Sequence, residues 1–160
     1  MKIYLAGPDV FRLDAPVWAE EARNLVDRFG FQALIPLDNH ETTAEGIFRA
    51  NLDLISKADA IIANLNPFRG AEPDSGTAFE LGCAVALGKE VVGYLSDTRP
   101  QIAKLAEWYG QPLAIKGGRV LDPNGMAIED FDLPLNLMLA VPCKLVLGGL
   151  EEALQRIQVL

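Results

Sequence analysis

Short apolar runs, several of them β-branched, alternate along this chain with longer amphipathic segments, and few folds accommodate that order. The runs Lys2–Ala6, 31–36, 60–65 and Glu90–Leu95 read as strands, and the segments 15–29, Ala44–Lys57 and 75–87 between them read as helices. Strands apolar on both sides belong to a parallel sheet covered by helices on both faces, and right-handed crossovers then leave one economical arrangement. The expected fold class is α/β: a doubly wound parallel sheet of four to five strands in three α/β/α layers. In the first helix Pro16 sits at an early position that tolerates it, and Gly30 provides the stop. The second places Ile47, Phe48, Leu52 and Ile55 on one face, with Asn51 and Asp53 elsewhere around the turn. Beyond Leu95 the pattern loosens. Segment 99–109 reads as helix, 117–132 as loop punctuated by Gly117-Gly118, Asp122-Pro123 and Asn124-Gly125, and 134–141 as helix. Lys144–Leu147 is a short strand or more helix, and 151–157 closes as a helix. No repeat or linker interrupts this order, so residues 1–160 are expected to form a single domain.

Composition narrows the partners. A chain of this length buries about two-thirds of its unfolded surface in one core, so the fold needs no disulfide or metal. With 14 Lys and Arg against 22 Asp and Glu, a net charge of −8 offers no favourable long-range field to a nucleic-acid polymer or an anionic membrane. Residues 1–80 hold 13 of the acids and only 7 of the bases, so the acidity is concentrated there. Cys83 and Cys143 stand far apart in no CxxC pattern and His40 is the sole histidine, which argues against a zinc site. The cysteines read as small core residues in a reducing compartment. The apolar run before Gly7-Pro8 is too short for a signal-peptide core, and no run approaches the roughly 18 apolar residues of a membrane span. A cytoplasmic protein without cofactor or metal is expected.

Ligands in such sheets bind at the carboxyl ends of the strands, which points to loops 7–11, 37–40 and 66–74. Each carries a carboxylate: Asp9, Asp38, and the pair Glu72 and Asp74. The strongest local feature follows, Asp74-Ser75-Gly76-Thr77-Ala78-Phe79-Glu80-Leu81-Gly82-Cys83-Ala84, a loop-to-helix junction with an acid inside the helix. Asp74 or Ser75 can cap that helix. Glu80 lies among apolar neighbours, and its side chain leans toward the helix N-terminus past Gly76, whose missing side chain leaves room for a ligand. A carboxylate near a helix N-terminus is favoured in its charged form, the form a nucleophile needs. Two carboxylates near one ligand suggest glycosyl chemistry. Asp53, near the end of the preceding helix, gains nothing from the helix dipole and is either solvated or functional. Tyr4 offers a hydroxyl from the first strand. No GxGxxG, GxxxxGK or GxSxG pattern occurs, so neither a usual phosphate cradle nor a serine triad is supported.

Five segments in order, Ile3-Tyr4-Leu5-Ala6-Gly7-Pro8, Pro36-Leu37-Asp38-Asn39, Asn51-Leu52-Asp53, Asp74-x-Gly76-x-x-x-Glu80-Leu81-Gly82 and Asn136-Leu137-Met138, resemble the nucleoside 2-deoxyribosyltransferase family. The resemblance implies a flavodoxin-like fold and a ping-pong transfer of 2-deoxyribose between nucleobases, with nucleosides and nucleobases as the partners. It assigns Glu80 as the nucleophile at C1′, Asp53 as the acid that handles the base proton, and Tyr4 as the residue that positions the nucleophile. Asp74 matches the carboxylate that binds the sugar 5′-hydroxyl. Gly7 and Asp38 lie in matched segments beside the substrate, Phe11 would stack on the base, and His40 stands where a base-reading side chain is expected. The family forms homo-oligomers, and Asn136 and Met138 match a segment that reaches into the neighbouring subunit's site.

Two other functions are compatible with parts of the pattern. The 2′-deoxynucleoside 5′-monophosphate N-hydrolases resemble this chain at Glu80-Leu81-Gly82 and at Asp53. They carry a Ser/Arg-containing turn after the first strand and a Ser at the Asp74 position, whereas Pro8-Asp9-Val10 and Asp74 here would set negative charge against a phosphate. A catalytically silent nucleotide-binding module would keep the fold without needing Glu80 and Asp53 together. The stretch 116–132 departs from a minimal family member as an inserted or elongated loop.

Overall fold

A computed structural model describes residues 1–159. Five strands, β1 (Lys2–Ala6), β2 (Gln32–Leu34), β3 (Ala60–Asn64), β4 (Glu90–Leu95) and β7 (Lys144–Leu147), form one all-parallel sheet in the order β2-β1-β3-β4-β7. This is the order of a flavodoxin-like sheet, and helices cover both of its faces.

Each strand sends alternate residues to opposite faces, which decides what each helix meets. From β1, Ile3 and Leu5 pack with Ala19, Ala22 and Val26 of α1 (Ala15–Arg28) and with Ala153, Leu154 and Ile157 of α6 (Leu150–Gln158). Tyr4 and Ala6 point the other way, toward Ile55 of α2 (Ala44–Lys57) and Leu81 and Ala84 of α3 (Ser75–Ala86). Tyr4 is fully buried, yet it stands on the face shared with the helix that carries Glu80. The one-residue alternation of the first strand therefore sets which side of the sheet holds the site.

Several boundaries differ from those expected. β2 ends at Leu34, and Pro36–Asp38 turns as a short 3-10 helix, because Asp38 accepts from the Ile35 N–H at 3.1 Å and so folds the segment back. Helix α4 (Gln101–Tyr109) begins after Pro100. The stretch read as loop contains one strand of a small antiparallel hairpin, β5 (Ala114–Lys116) and β6 (Arg119–Leu121), with Gly117 and Gly118 at positive φ in its two-residue turn. The helix expected over 134–141 is only α5 (Leu137–Ala140), since Asn136 caps it by accepting from the Met138 N–H at 3.0 Å. Lys144–Leu147 is a strand. Cys143 is buried and Cys83 partly so. Among the described residues no helix is long and apolar enough to cross a membrane.

Leu81 is 1% exposed and joins α3 to the sheet directly after Glu80. Leu81→Ala is expected to cost about 2–5 kcal/mol of stability, read as a lower midpoint of urea unfolding with an unchanged slope. A loss under about 1 kcal/mol would show that the α3 contact is not part of the cooperative core.

Candidate active site

At the carboxyl ends of β1, β2 and β3 lies a pocket of about 380 Å³. It combines Gly7 and Phe11 from the turn after β1, Pro36 and Asn39 from the segment after β2, Asn51 from α2, and Asp74, Gly76 and Glu80 from the start of α3. Gly7 is demanded by close approach: a Cβ there would lie 2.9 Å from the Asn64 Cβ, so any side chain would force β1 and β3 apart at the pocket floor.

Tyr4 and Glu80 meet across that floor. The Tyr4 hydroxyl donates to Glu80 Oε1 at 2.6 Å, and Asn51 Nδ2 donates to the same oxygen at 3.4 Å. Both bonds fall on Oε1, so among the described residues Oε2 has no hydrogen-bond partner. Burial raises the Glu80 pKa and the nearby Asp74 charge adds to the rise, while the Tyr4 and Asn51 hydrogen bonds oppose it. Burial and the Glu80 charge also raise the Tyr4 pKa well above its ordinary range, so its hydroxyl keeps its proton and stays a donor. Asp74 fulfils the capping role: its Oδ2 accepts from the Thr77 N–H at 2.8 Å and from Thr77 Oγ1 at 3.0 Å. Both bonds use Oδ2, and among the described residues Oδ1 has no hydrogen-bond partner.

Other expected site residues are not brought together. Asp53 does not line this pocket; it is exposed and paired with Lys57 one turn on. Residues two apart on a helix point about 200° apart, so when Asn51 faces Glu80, Asp53 faces away. The expectation that Ile47 and Ile55 share a face without Asn51 is likewise corrected, because Ile47, Asn51 and Ile55 are spaced four apart and form one stripe. Asp38 pairs with Arg23 at 2.5 Å and caps Ile35, and His40 is exposed; neither lines the pocket. Asp9 accepts from Asn64 Nδ2 at 2.8 Å and Glu72 from Gln101 Nε2 at 2.7 Å, so of the four loop carboxylates only Asp74 reaches the pocket. Asn136 and Met138 do not line it within one chain: Asn136 donates to Glu129 at 2.8 Å, and Met138 is 72% exposed.

Asn51, Asn39 and Glu41 line the pocket without having been singled out. The four-residue spacing from Ile47 through Asn51 to Ile55 was the signal for Asn51. A larger crevice of about 450 Å³ lies beyond β3, between the end of β4 and α4, but its carboxylates Asp97 and Glu107 are both held by Arg99. Among the described residues no cluster of three or more His, Cys, Asp or Glu is arranged to hold a metal ion.

A flavodoxin-like sheet thus carries at its carboxyl edge a half-buried, hydrogen-bonded glutamate with one oxygen free of partners among the described residues, and a second carboxylate lines the same pocket. The model of the nucleoside 2-deoxyribosyltransferase family matches residues 3–138, and the chain belongs to that family, whose members act on nucleosides and nucleobases. The 2-deoxyribosyltransferase from Leishmania mexicana superposes with a TM-score of 0.78 at 41% identity, over 99% of this chain and 96% of that one. Uncharacterized protein C191.05c of Schizosaccharomyces pombe is 32% identical over 155 residues, covering 85% of this chain and 74% of its own length. The CMP N-glycosidase BcmB of Clostridium botulinum covers the full length of both chains with a TM-score of 0.50 at 16% identity, a likeness of fold.

Because Glu80 ionises less readily folded than unfolded, the folded chain keeps its proton over a pH range where the unfolded chain has lost it. Stability then falls as pH rises through that range. Glu80→Gln is therefore expected to melt above the wild type at neutral pH, with the gap closing as pH drops below the ordinary glutamate value of 4.5. Equal midpoints across that range would contradict the burial of the charge.

Proposed function

We propose that this protein transfers 2-deoxyribose between nucleobases through a glycosyl ester on Glu80. The observation that carries this reading is the pair of hydrogen bonds on Glu80 Oε1, which leaves Oε2 free in a pocket of the right family. In the first half-reaction Oε2 attacks C1′ as the bond from C1′ to the base nitrogen breaks, and the departing base takes a proton. In the second, a nitrogen of the incoming base attacks C1′, the ester bond breaks, the electron pair returns to Glu80, and the new nucleoside loses its extra proton.

Tyr4 holds the carboxylate in line by donating to the oxygen that does not attack. Asn51 acts in the same way from α2. As an amide it does not protonate the leaving base, and Asp53 faces away from it; Glu41 and water at the open mouth are the proton sources within reach of the pocket. Asp74 Oδ1 takes the sugar 5′-hydroxyl, and Phe11 stands beside the base. Among the described residues no Lys or Arg lines the pocket, while Glu41, Asp74 and Glu80 do, which favours an uncharged nucleoside over a 5′-monophosphate. We also infer a homo-oligomer in which the Asn136–Met138 segment completes a neighbouring site, consistent with the exposure of Met138 and of Val141, which is 71% exposed.

Incubating the protein with 2′-deoxyinosine and adenine is expected to yield 2′-deoxyadenosine and hypoxanthine. Glu80→Ala should lower that rate by more than about 1,000-fold. Free base released only from a 5′-monophosphate would instead indicate a hydrolase, and substantial turnover by Glu80→Ala would place the nucleophile elsewhere. Tyr4→Phe removes a donor that favours the charged carboxylate, so the acid limb of its kcat/KM profile should move to higher pH; an unmoved limb would contradict the role given to Tyr4.

A further inference from the structure

Against the ring of Phe11, outside the pocket lining, lies the guanidinium of Arg69, which has no role in the chemistry above. Phe11 lines the pocket yet is 56% exposed, and nothing in its own turn buries its ring. The ring stacks instead on Phe68 from the loop after β3, with centroids 5.5 Å apart and planes inclined by 14°. The guanidinium carbon of Arg69 lies over both rings, 5.1 Å from the Phe11 centroid and 4.6 Å from that of Phe68. In a chain of net charge −8, Arg69 makes no ion pair and donates no side-chain hydrogen bond among the described residues. Its backbone φ is +54°, a left-handed conformation uncommon in residues with a Cβ. The loop is closed by the Phe68 N–H donating to the Glu72 carbonyl at 3.0 Å, and the Glu72 side chain is held by Gln101. An arginine placed on two rings rather than on a carboxylate, in a pinned loop with a left-handed backbone, is organised around Phe11.

We propose that Phe68 and Arg69 are positioning residues that hold Phe11 as a fixed wall at the base-binding end of the pocket. This rests on the reading of the pocket as a nucleoside site and says how the ring beside the base is held. A ring already in place lowers the ordering cost of binding. Stacking tolerates any base, because every base presents a π-face. The contribution therefore falls on affinity, alike for all bases, and leaves the chemistry at C1′ untouched.

The test is steady-state transfer from 2′-deoxyinosine to one purine and one pyrimidine acceptor by wild type, Arg69→Ala and Arg69→Lys, with thermal midpoints for each. Arg69→Ala should raise KM about two- to fivefold for every base the wild type accepts, at nearly constant kcat and midpoint. Arg69→Lys, which keeps the charge but not the planar stack, should fall between. A drop in kcat at constant KM, a KM change for one base only, or no change at all would each overturn the positioning role. A wild type that transfers no deoxyribose would overturn the reading of the pocket and this inference with it, whereas an active wild type indistinguishable from Arg69→Ala overturns the inference alone.

Discussion

The hydrogen bond from Tyr4 to Glu80 ties the centre of the sheet to the helix that bears the proposed nucleophile. It spans 76 residues of sequence, and it forms only if β1 turns its even-numbered residues toward α2 and α3. A shift of one residue in the pairing of Tyr4 with Ile61 would put Ile3 or Leu5 on that face and leave Glu80 in apolar surroundings without a donor. Burial makes the carboxylate harder to ionise, and the hydroxyl with its raised pKa opposes that effect while remaining a donor. The sheet register and the charge state of the Glu80 carboxylate are thus parts of one constraint.

The economy of the site lies in how the oxygens are divided. Glu80 uses Oε1 for structure and Asp74 uses Oδ2 for capping, so each carboxylate anchors itself with one oxygen and presents the other. Asp74 makes the loop-to-helix turn possible and faces the pocket from the same position, so its capping role and its proposed ligand role coexist. These two carboxylates share the pocket with Glu41, and the rest of its lining, from Gly7 and Phe11 to Asn39, Ile47 and Asn51, carries no cation among the described residues, a surrounding that fits the proposed neutral sugar and flat base.

Much of this was legible in the sequence because periodicity reports it directly. The strand runs, the three long helices and the loop-to-helix junction at Asp74 follow from apolar spacing and capping chemistry, and Glu80 stood out as an acid among apolar neighbours. Asp53 was misleading for a geometric reason: its residue type suggests acid chemistry, but two positions on a helix reverse direction, and the side chain that reaches Glu80 is the amide of Asn51. Asp38 and His40 sit in a segment whose 3-10 turn, fixed by the Asp38 bond to Ile35, sends them outward. The hairpin Ala114–Leu121 was hidden because its strands are three residues each, too short to show an alternation. The Phe68 and Arg69 contacts with Phe11 depend on a left-handed backbone in a loop, which no local pattern announces.

The proposed transfer passes through a covalent deoxyribosyl ester on Glu80, which would leave a mass on the protein. Incubation with 2′-deoxyinosine in the absence of an acceptor base, followed by rapid acid quench and peptide mapping by mass spectrometry, should show a deoxyribosyl adduct on Glu80 with one equivalent of hypoxanthine released. An adduct on another residue, or deoxyribosyl transfer that requires both bases to be bound before any hypoxanthine is released, would contradict it.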